Sequence, residues 1–187
     1  MILKGTAALT SSTQDSTLIV NPACVEGLNH QIQQELKASL QYTAIAAYFD
    51  SEGLPSLAAH FYRQSDEERM HAMKFVKYLL DAGSRPVLTG IPDIKNDFSS
   101  ASDAVQCSLE SELRVTQQIN DLVAAATRAS DYMTITFLQW FVTEQLEEVS
   151  SMSTLLQQIK HAGPSLLLVE DYVRRKAAAA GAEAGEG

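Results

Sequence analysis

Four glutamates, Glu35, Glu68, Glu112 and Glu148, each interrupt a different run of regularly spaced apolar residues in this chain. His71 follows Glu68 at the third position, and Gln145 precedes Glu148 by the same step. Residues three apart share a helix face, so Glu68-x-x-His71 and Gln145-x-x-Glu148 would each aim two donors at one point. Carboxylates with one imidazole and no thiolate suit a hard cation, disfavouring structural zinc and copper and favouring iron or manganese. Burying an unpaired carboxylate is costly, and no Lys or Arg falls on the four runs to offset it. Two divalent cations would neutralise four carboxylates, with neutral His71 completing the ligands. The pattern requires metal.

The elements that must position these groups follow from reading each run at alternating steps of four and three. The first gives Leu28, Ile32, Glu35, Ser39, Tyr42, Ala46 and Phe49. The second gives Leu57, Phe61, Gln64, Glu68, His71, Phe75 and Tyr78. The third gives Val105, Leu109, Glu112, Thr116, Ile119 and Val123. The fourth gives Leu138, Phe141, Gln145, Glu148, Met152, Leu155 and Ile159. Every stripe is apolar at both ends and acidic near its middle. Glu112 and Glu148 lie level, about 18 residues either side of the turn near Asp131, whereas Glu35 and Glu68 are offset by about 7 Å.

Turn signals place the helices at roughly 25–51, 56–83, 102–130, 131–161 and, shorter, 165–176. Short connections make helices one and two, and three and four, antiparallel hairpins. About 18 residues containing Pro86, Gly90 and Pro92 separate helices two and three. They reach about 60 Å when extended, more than the about 42 Å length of such a helix. The fold expected is all-α: a four-helix bundle with a long crossover between helices two and three, plus a short fifth helix. Glu-x-x-His on an inward face is the arrangement of di-iron carboxylate bundles.

The remaining composition is that of one globular domain: 187 residues, 45% hydrophobic, 20% charged, enough for a core without disulfides. Cys24 and Cys107 match no zinc or redox spacing and point to a reducing compartment. The net charge of −9 argues against nucleic acid, whose phosphates need a basic face. No apolar run reaches the roughly 18 residues that span a bilayer. Residues 1–24, Ser/Thr-rich with one Lys and no Arg, read as a flexible N-terminal extension without a secretory signal. Residues 177–187 read as a disordered Ala/Gly/Glu tail, leaving 25–176 as the domain. A cytoplasmic location is expected, with organelle targeting by residues 1–24 as the alternative.

On these motifs the chain resembles the ferritins, specifically the non-haem bacterial type, over roughly Val25 to Lys176. The segments LNHQIQQELKASLQY, DEERMHAMKFVKYLLDAG, LESELRVTQQINDL and FLQWFVTEQLEEVSSM carry the resemblance. It implies a first iron held by Glu35, Glu68 and His71, with Glu68 bridging to a second iron held by Glu112 and Glu148 near Gln145. Glu67, Glu144 and Glu147 would hold a third iron on the cavity side. Tyr42 and Trp140 match aromatic positions near the iron pair, each a candidate electron donor. The implied function is iron storage. A ferroxidase oxidises Fe(II) to Fe(III) with O₂ or H₂O₂ at the di-iron centre and deposits ferric oxide-hydroxide inside a homo-oligomeric shell of 24 copies.

The chain departs from its relatives at several points. Where bacterioferritins carry a second Glu-x-x-His, this sequence has Gln145-x-x-Glu148, and a weak neutral ligand suits iron in transit. Their haem-ligating Met falls on Arg69, so haem is not expected, and Met70 is expected to pack, as are Met133 and Met152. The acidic pair of animal three-fold channels falls on Ile135 and Leu138. His30, His60 and His161 match no ligand position and read as solvated or capping. The alternative is a di-iron oxygenase or peroxidase that retains its metals, which would want the symmetric second Glu-x-x-His.

Overall fold

The computed structural model describes residues 18–184. Helix α1 (Pro22–Ser51) begins where the Asn21 side chain accepts a bond from Ala23 N and Pro22 supplies a preset φ. Helix α2 (Pro55–Asp81) also opens on a proline, and Gly83, at φ +81°, takes the left-handed turn after it. Helix α3 (Ala101–Arg128) is capped by Ser100 and α4 (Tyr132–Ala162) by Asp131, each through its side-chain oxygen. Helix α5 (Leu166–Ala184) completes the order, and no strand occurs among the described residues.

The crossover, residues 82–100, runs along α1 in the same direction. Asn29 Oδ1 accepts from Val87 N (2.7 Å), Gln33 donates to Gly90 O, and Gln41 bonds both Lys95 O and Lys95 N. Tyr48 then meets Phe98 with ring centroids 5.4 Å apart. Side chains one to two turns apart along α1 thus satisfy backbone that has no helix of its own. By its end the chain has returned to the level where α2 began, and α3 starts antiparallel to α1.

Apolar packing falls into two clusters. One gathers around Phe49, Phe61 and Met152, the other around Leu28, Phe75 and Phe141. Between them lies the acidic layer. The expected stripes of α1 and α4 are buried throughout, and that of α2 is buried except for half-buried Tyr78. On α3 the buried line is rotated. Ser108, Val115 and Leu122 face inward, while Leu109, Thr116 and Val123 are half-buried.

Two expectations at the chain ends need correction. Residues 18–24 are not loose: Val20 and Cys24 are buried, Ile19 N donates to Ala82 O (2.9 Å), and Asn21 N donates to Asp131 Oδ2 (2.8 Å). Leu18 and Val20 precede a proline-started helix and close the end of the second cluster, while Ile19 between them is exposed. Residues 1–17 lie outside the described residues. The Ala-rich segment 177–184 is helical and extends α5 by two turns, because alanine is the strongest helix former. Residues 185–187 also lie outside. Met70 and Met133, expected to pack, are exposed, whereas Met152 is buried.

Helix α5 packs through buried Val169 and Val173 and is tied to α2 by Glu170. Leu54, preceding α2, offers no capping oxygen; instead Glu170 of α5 accepts from Ser56 N (2.8 Å) and Leu57 N (2.7 Å). A carboxylate at a helix N-terminus meets both free amides and the positive end of the dipole. Glu170→Ala should cost about 1–2 kcal/mol and speed hydrogen exchange at Ser56 and Leu57. Exchange mass spectrometry checks it, and unchanged protection there would show that α5 is held otherwise.

Candidate metal centre

Glu35, Glu68, Glu112 and Glu148 are all buried, at 0%, 1%, 1% and 6% exposure, in the layer between the two apolar clusters. Position on helices explains the convergence. Ser39 and Ser65 exchange hydroxyl-to-carbonyl bonds of 2.8 Å across α1 and α2, about one turn from Glu35 and Glu68. Such small residues let the two helices approach closely, and the depth offset read from sequence is absorbed. One ligand atom each of Glu35, Glu68 and His71 lies within 4.8 Å of the others.

The polar atoms of this trio are largely unanswered. Gln31 donates to Glu35 Oε1 (2.9 Å), but Glu35 Oε2, both Glu68 oxygens and His71 Nδ1 are buried without a hydrogen-bond partner. His71 Nδ1 stands 3.5 Å from Glu68 Oε2. Buried polar groups are normally satisfied, so four orphaned atoms on a trio whose ligand atoms lie within 4.8 Å of one another fit a cation. Their chemistry, hard oxygen with one imidazole, suits iron or manganese.

The α3/α4 half differs. Tyr42 donates its hydroxyl to Glu112 Oε1. Thr116 donates to Gln145 Oε1 (2.8 Å), which turns Gln145 Nε2 toward Glu112 Oε2 at 3.5 Å. Gln145 therefore keeps its acceptor oxygen on Thr116. Glu148 completes the four acids.

Electrostatics follow burial. Loss of water raises the Glu35 carboxyl well above its ordinary range, and Glu68 beside it adds to the rise. Glu68 is raised likewise by burial and by Glu112. Burial lifts Glu112 to about 7, against the lowering effect of the Tyr42 bond. Burial, then Glu112 and Glu67, carry Glu148 to about 8. Tyr42 is pushed well above the usual phenol range by burial and by Glu112.

Around this centre lie the outer residues singled out from sequence. Glu67 and Glu144 come together with His71 in a second group of three, again within 4.8 Å. Exposed Glu147 is not in that trio, but it lines with Glu67, Glu144 and Glu148 a surface pocket of about 650 Å³. Trp140 stands edge-on to His71, ring centroids 5.3 Å apart, with Lys74 Nζ 3.0 Å over its face. Leu138 is buried in the core rather than facing outward. His60, expected to be solvated, is half-buried, and its imidazole is pushed down to about 4 by burial and by Arg63 and Lys176.

Sequence reading passed over Gln31, Ser65 and Lys74, and took Thr116 only as a member of the third stripe. The first had a usable signal, lying four residues before Glu35 on the same helix face. The partners of the other three are set by packing between helices.

Buried carboxylates and an imidazole projecting inward from a crossover four-helix bundle define the ferritin-like class. Residues 25–162 match the family of ferritin-like domains. Ferritin BfrB of Mycolicibacterium smegmatis is 44% identical over 156 residues, 83% of this chain and 86% of the relative. The bacterial non-heme ferritin of Staphylococcus aureus is 37% identical over 139 residues, 74% and 84% of the two chains. Among solved structures, an open pore ferritin from the archaeon Archaeoglobus fulgidus aligns with a TM-score of 0.80 at 32% identity, covering 83% of this chain and 97% of its own. The chain belongs to the ferritin family, among the non-haem bacterial members.

A pH dependence follows from the raised acids. Folded, they hold protons that unfolded glutamates, near 4.5, have released. The folded state therefore binds more protons, and stability falls as pH rises from about 4.5 through about 7 and about 8, the values for Glu112 and Glu148. Denaturant unfolding in chelator should give a larger free energy at pH about 5 than at pH about 8. Glu148→Gln should reduce that difference, and added Zn(II) should flatten it by displacing the protons.

Proposed function

We propose that this chain stores iron and is a ferroxidase, with Fe(II) as substrate at the buried acidic layer. The observation that carries this reading is the trio Glu35, Glu68 and His71, buried, convergent within 4.8 Å and largely unpartnered. Glu35, Glu68 and His71 hold the first Fe(II). Glu68 bridges to a second, held by Glu112 and Glu148, and Gln145 orients Glu112. Iron takes the place of the protons these carboxyls retain when metal-free, so loading releases protons.

Hard carboxylate oxygens stabilise Fe(III) more than Fe(II) and so ease oxidation. Two Fe(II) give one electron each to O₂, which with two protons leaves as H₂O₂; peroxide taken up instead leaves as water. Where O₂ goes to two waters instead, it needs four electrons and four protons; three Fe(II) give three electrons, and Tyr42, bonded to Glu112, or Trp140, beside His71, gives the fourth electron with its proton, leaving a side-chain radical. Fe(III) then passes toward Glu67, Glu144 and Glu147, which line the acidic surface pocket and form the third site, and is laid down as mineral inside a 24-copy shell. A metal-retaining oxygenase or peroxidase would want a second Glu-x-x-His where Gln145-x-x-Glu148 stands, with its imidazole at position 148.

Fe(II) added in air, many equivalents per chain, should stay soluble as ferric mineral in a particle of roughly 490 kDa, twenty-four copies of 20.4 kDa. Glu68→Ala should slow the fast oxidation phase by at least about tenfold without changing particle size. Fast oxidation surviving in that variant would move the site elsewhere.

Freeze-quenched samples should show a tyrosyl radical in electron paramagnetic resonance that Tyr42→Phe removes. A radical that persists in Tyr42→Phe would assign the electron to Trp140 instead.

A further inference from the structure

Away from the acidic layer, two basic side chains without an ion pair among the described residues, Arg63 and Lys176, line one cavity. A cavity of about 400 Å³ lies between α2, α4 and α5, lined by His60, Arg63, Ser151, Leu155, Val173 and Lys176, among others. Leu155 and Val173 are buried, at 4% and 6% exposure, and form an apolar floor. Arg63 and Lys176 are exposed and form a cationic rim.

The chain carries 23 acidic against 14 basic residues, so partners are plentiful. The exposed ion pairs among the described residues nevertheless use only Lys77, Lys95, Arg174 and Arg175. Lys176 also lines the pocket that holds Glu67, Glu144 and Glu147, yet bonds none of them; its Nζ donates to Ser151 Oγ at 3.4 Å. Burial first, then Arg63 and Lys176, push the His60 imidazole down to about 4. A cavity of this size suits a small molecule.

We propose that this cavity binds a small amphipathic carboxylate, its head between Arg63 and Lys176 and its aliphatic body against Leu155 and Val173. Guanidinium and ammonium groups recognise a carboxylate by charge-assisted hydrogen bonds, the guanidinium with two parallel donors. The apolar floor favours an alkyl chain and gives inorganic phosphate nothing to bury. The cavity shares Ser151 and Lys176 with the pocket lined by Glu67, Glu144 and Glu147, but none of those acids lines it, and the proposal does not rest on the iron reading.

Isothermal titration calorimetry on the full chain, with octanoate, 1-octanol and inorganic phosphate as probes, tests it. Octanoate should bind, and octanol and phosphate should bind at least about tenfold more weakly. The Arg63→Ala/Lys176→Ala double variant should lose at least about tenfold in octanoate affinity with unchanged helicity by circular dichroism. Absence of octanoate binding, undiminished binding in the double variant, or phosphate binding as tightly as octanoate overturns the proposal.

Discussion

Removing four carboxylates from water in the middle of a helical bundle is the constraint on which the rest of the molecule depends. The cost falls on both charge states: an ionised acid loses its hydration, and a protonated one still needs hydrogen-bond partners. The bundle meets this in part by keeping the carboxyls protonated at higher pH and by supplying donors from Gln31, Tyr42 and Gln145. It does not meet it fully, since Glu68 has no hydrogen-bond partner for either oxygen. Polar groups in the centre also divide the apolar packing, so each end of the bundle must hold its four helices together with its own cluster. The aromatic pairs Phe49–Phe61 and Phe75–Phe141, with centroids 5.4 and 4.3 Å apart, anchor the two ends.

Topology serves the same end. Four inward acids need four helices presenting their middles at one depth, and a crossover connecting two antiparallel hairpins supplies that geometry. The crossover has no secondary structure of its own, so its amides and carbonyls need partners from elsewhere. Asn29, Gln33 and Gln41, which look like ordinary solvent-facing residues of α1, supply them. The inward face of α1 therefore carries the site, and its outward face carries the connection that makes the site possible.

How much of this the sequence disclosed varied with the scale of the interaction. The stripe of α4 was legible in full because large apolar side chains recur at helical spacing on either side of Gln145 and Glu148, even though Leu146 and other apolar residues stand on the exposed face. That of α3 was displaced by part of a turn, because small Ser108 and Ser111 sit at buried positions and carry no hydrophobic signal. The chain ends misled for opposite reasons. Leu18 to Val20 lay inside a stretch dominated by Ser and Thr, while an alanine run was judged by its simplicity instead of its helix propensity. The Glu170 cap was beyond reach, since it joins residues 113 and 114 apart that only tertiary packing brings together. Placement of Glu35, Glu68 and His71 together was legible because spacing alone fixes the face of each helix. The orientation of Gln145 was not, since it depends on a hydroxyl from the neighbouring helix.

That orientation makes the two halves of the centre unequal. A cation arriving among Glu35, Glu68 and His71 displaces protons and finds oxygen and nitrogen lone pairs that no hydrogen bond occupies. At Glu112 it meets a carboxylate already bonded by Tyr42 and faced by the amide of Gln145, whose own oxygen is held by Thr116. Binding there must break or rearrange those bonds, and each carries a cost comparable to the gain from a single hydrogen bond. The α1/α2 half is thus organised in advance, and the α3/α4 half is closed by its own network. On the proposed two-iron reading, a first ion near Glu68 would draw Glu112 and Glu148 toward ionisation and so lower the second barrier. Occupancy of one half would then prepare the other, a consequence of placing an imidazole on one side of the bundle and an amide on the other.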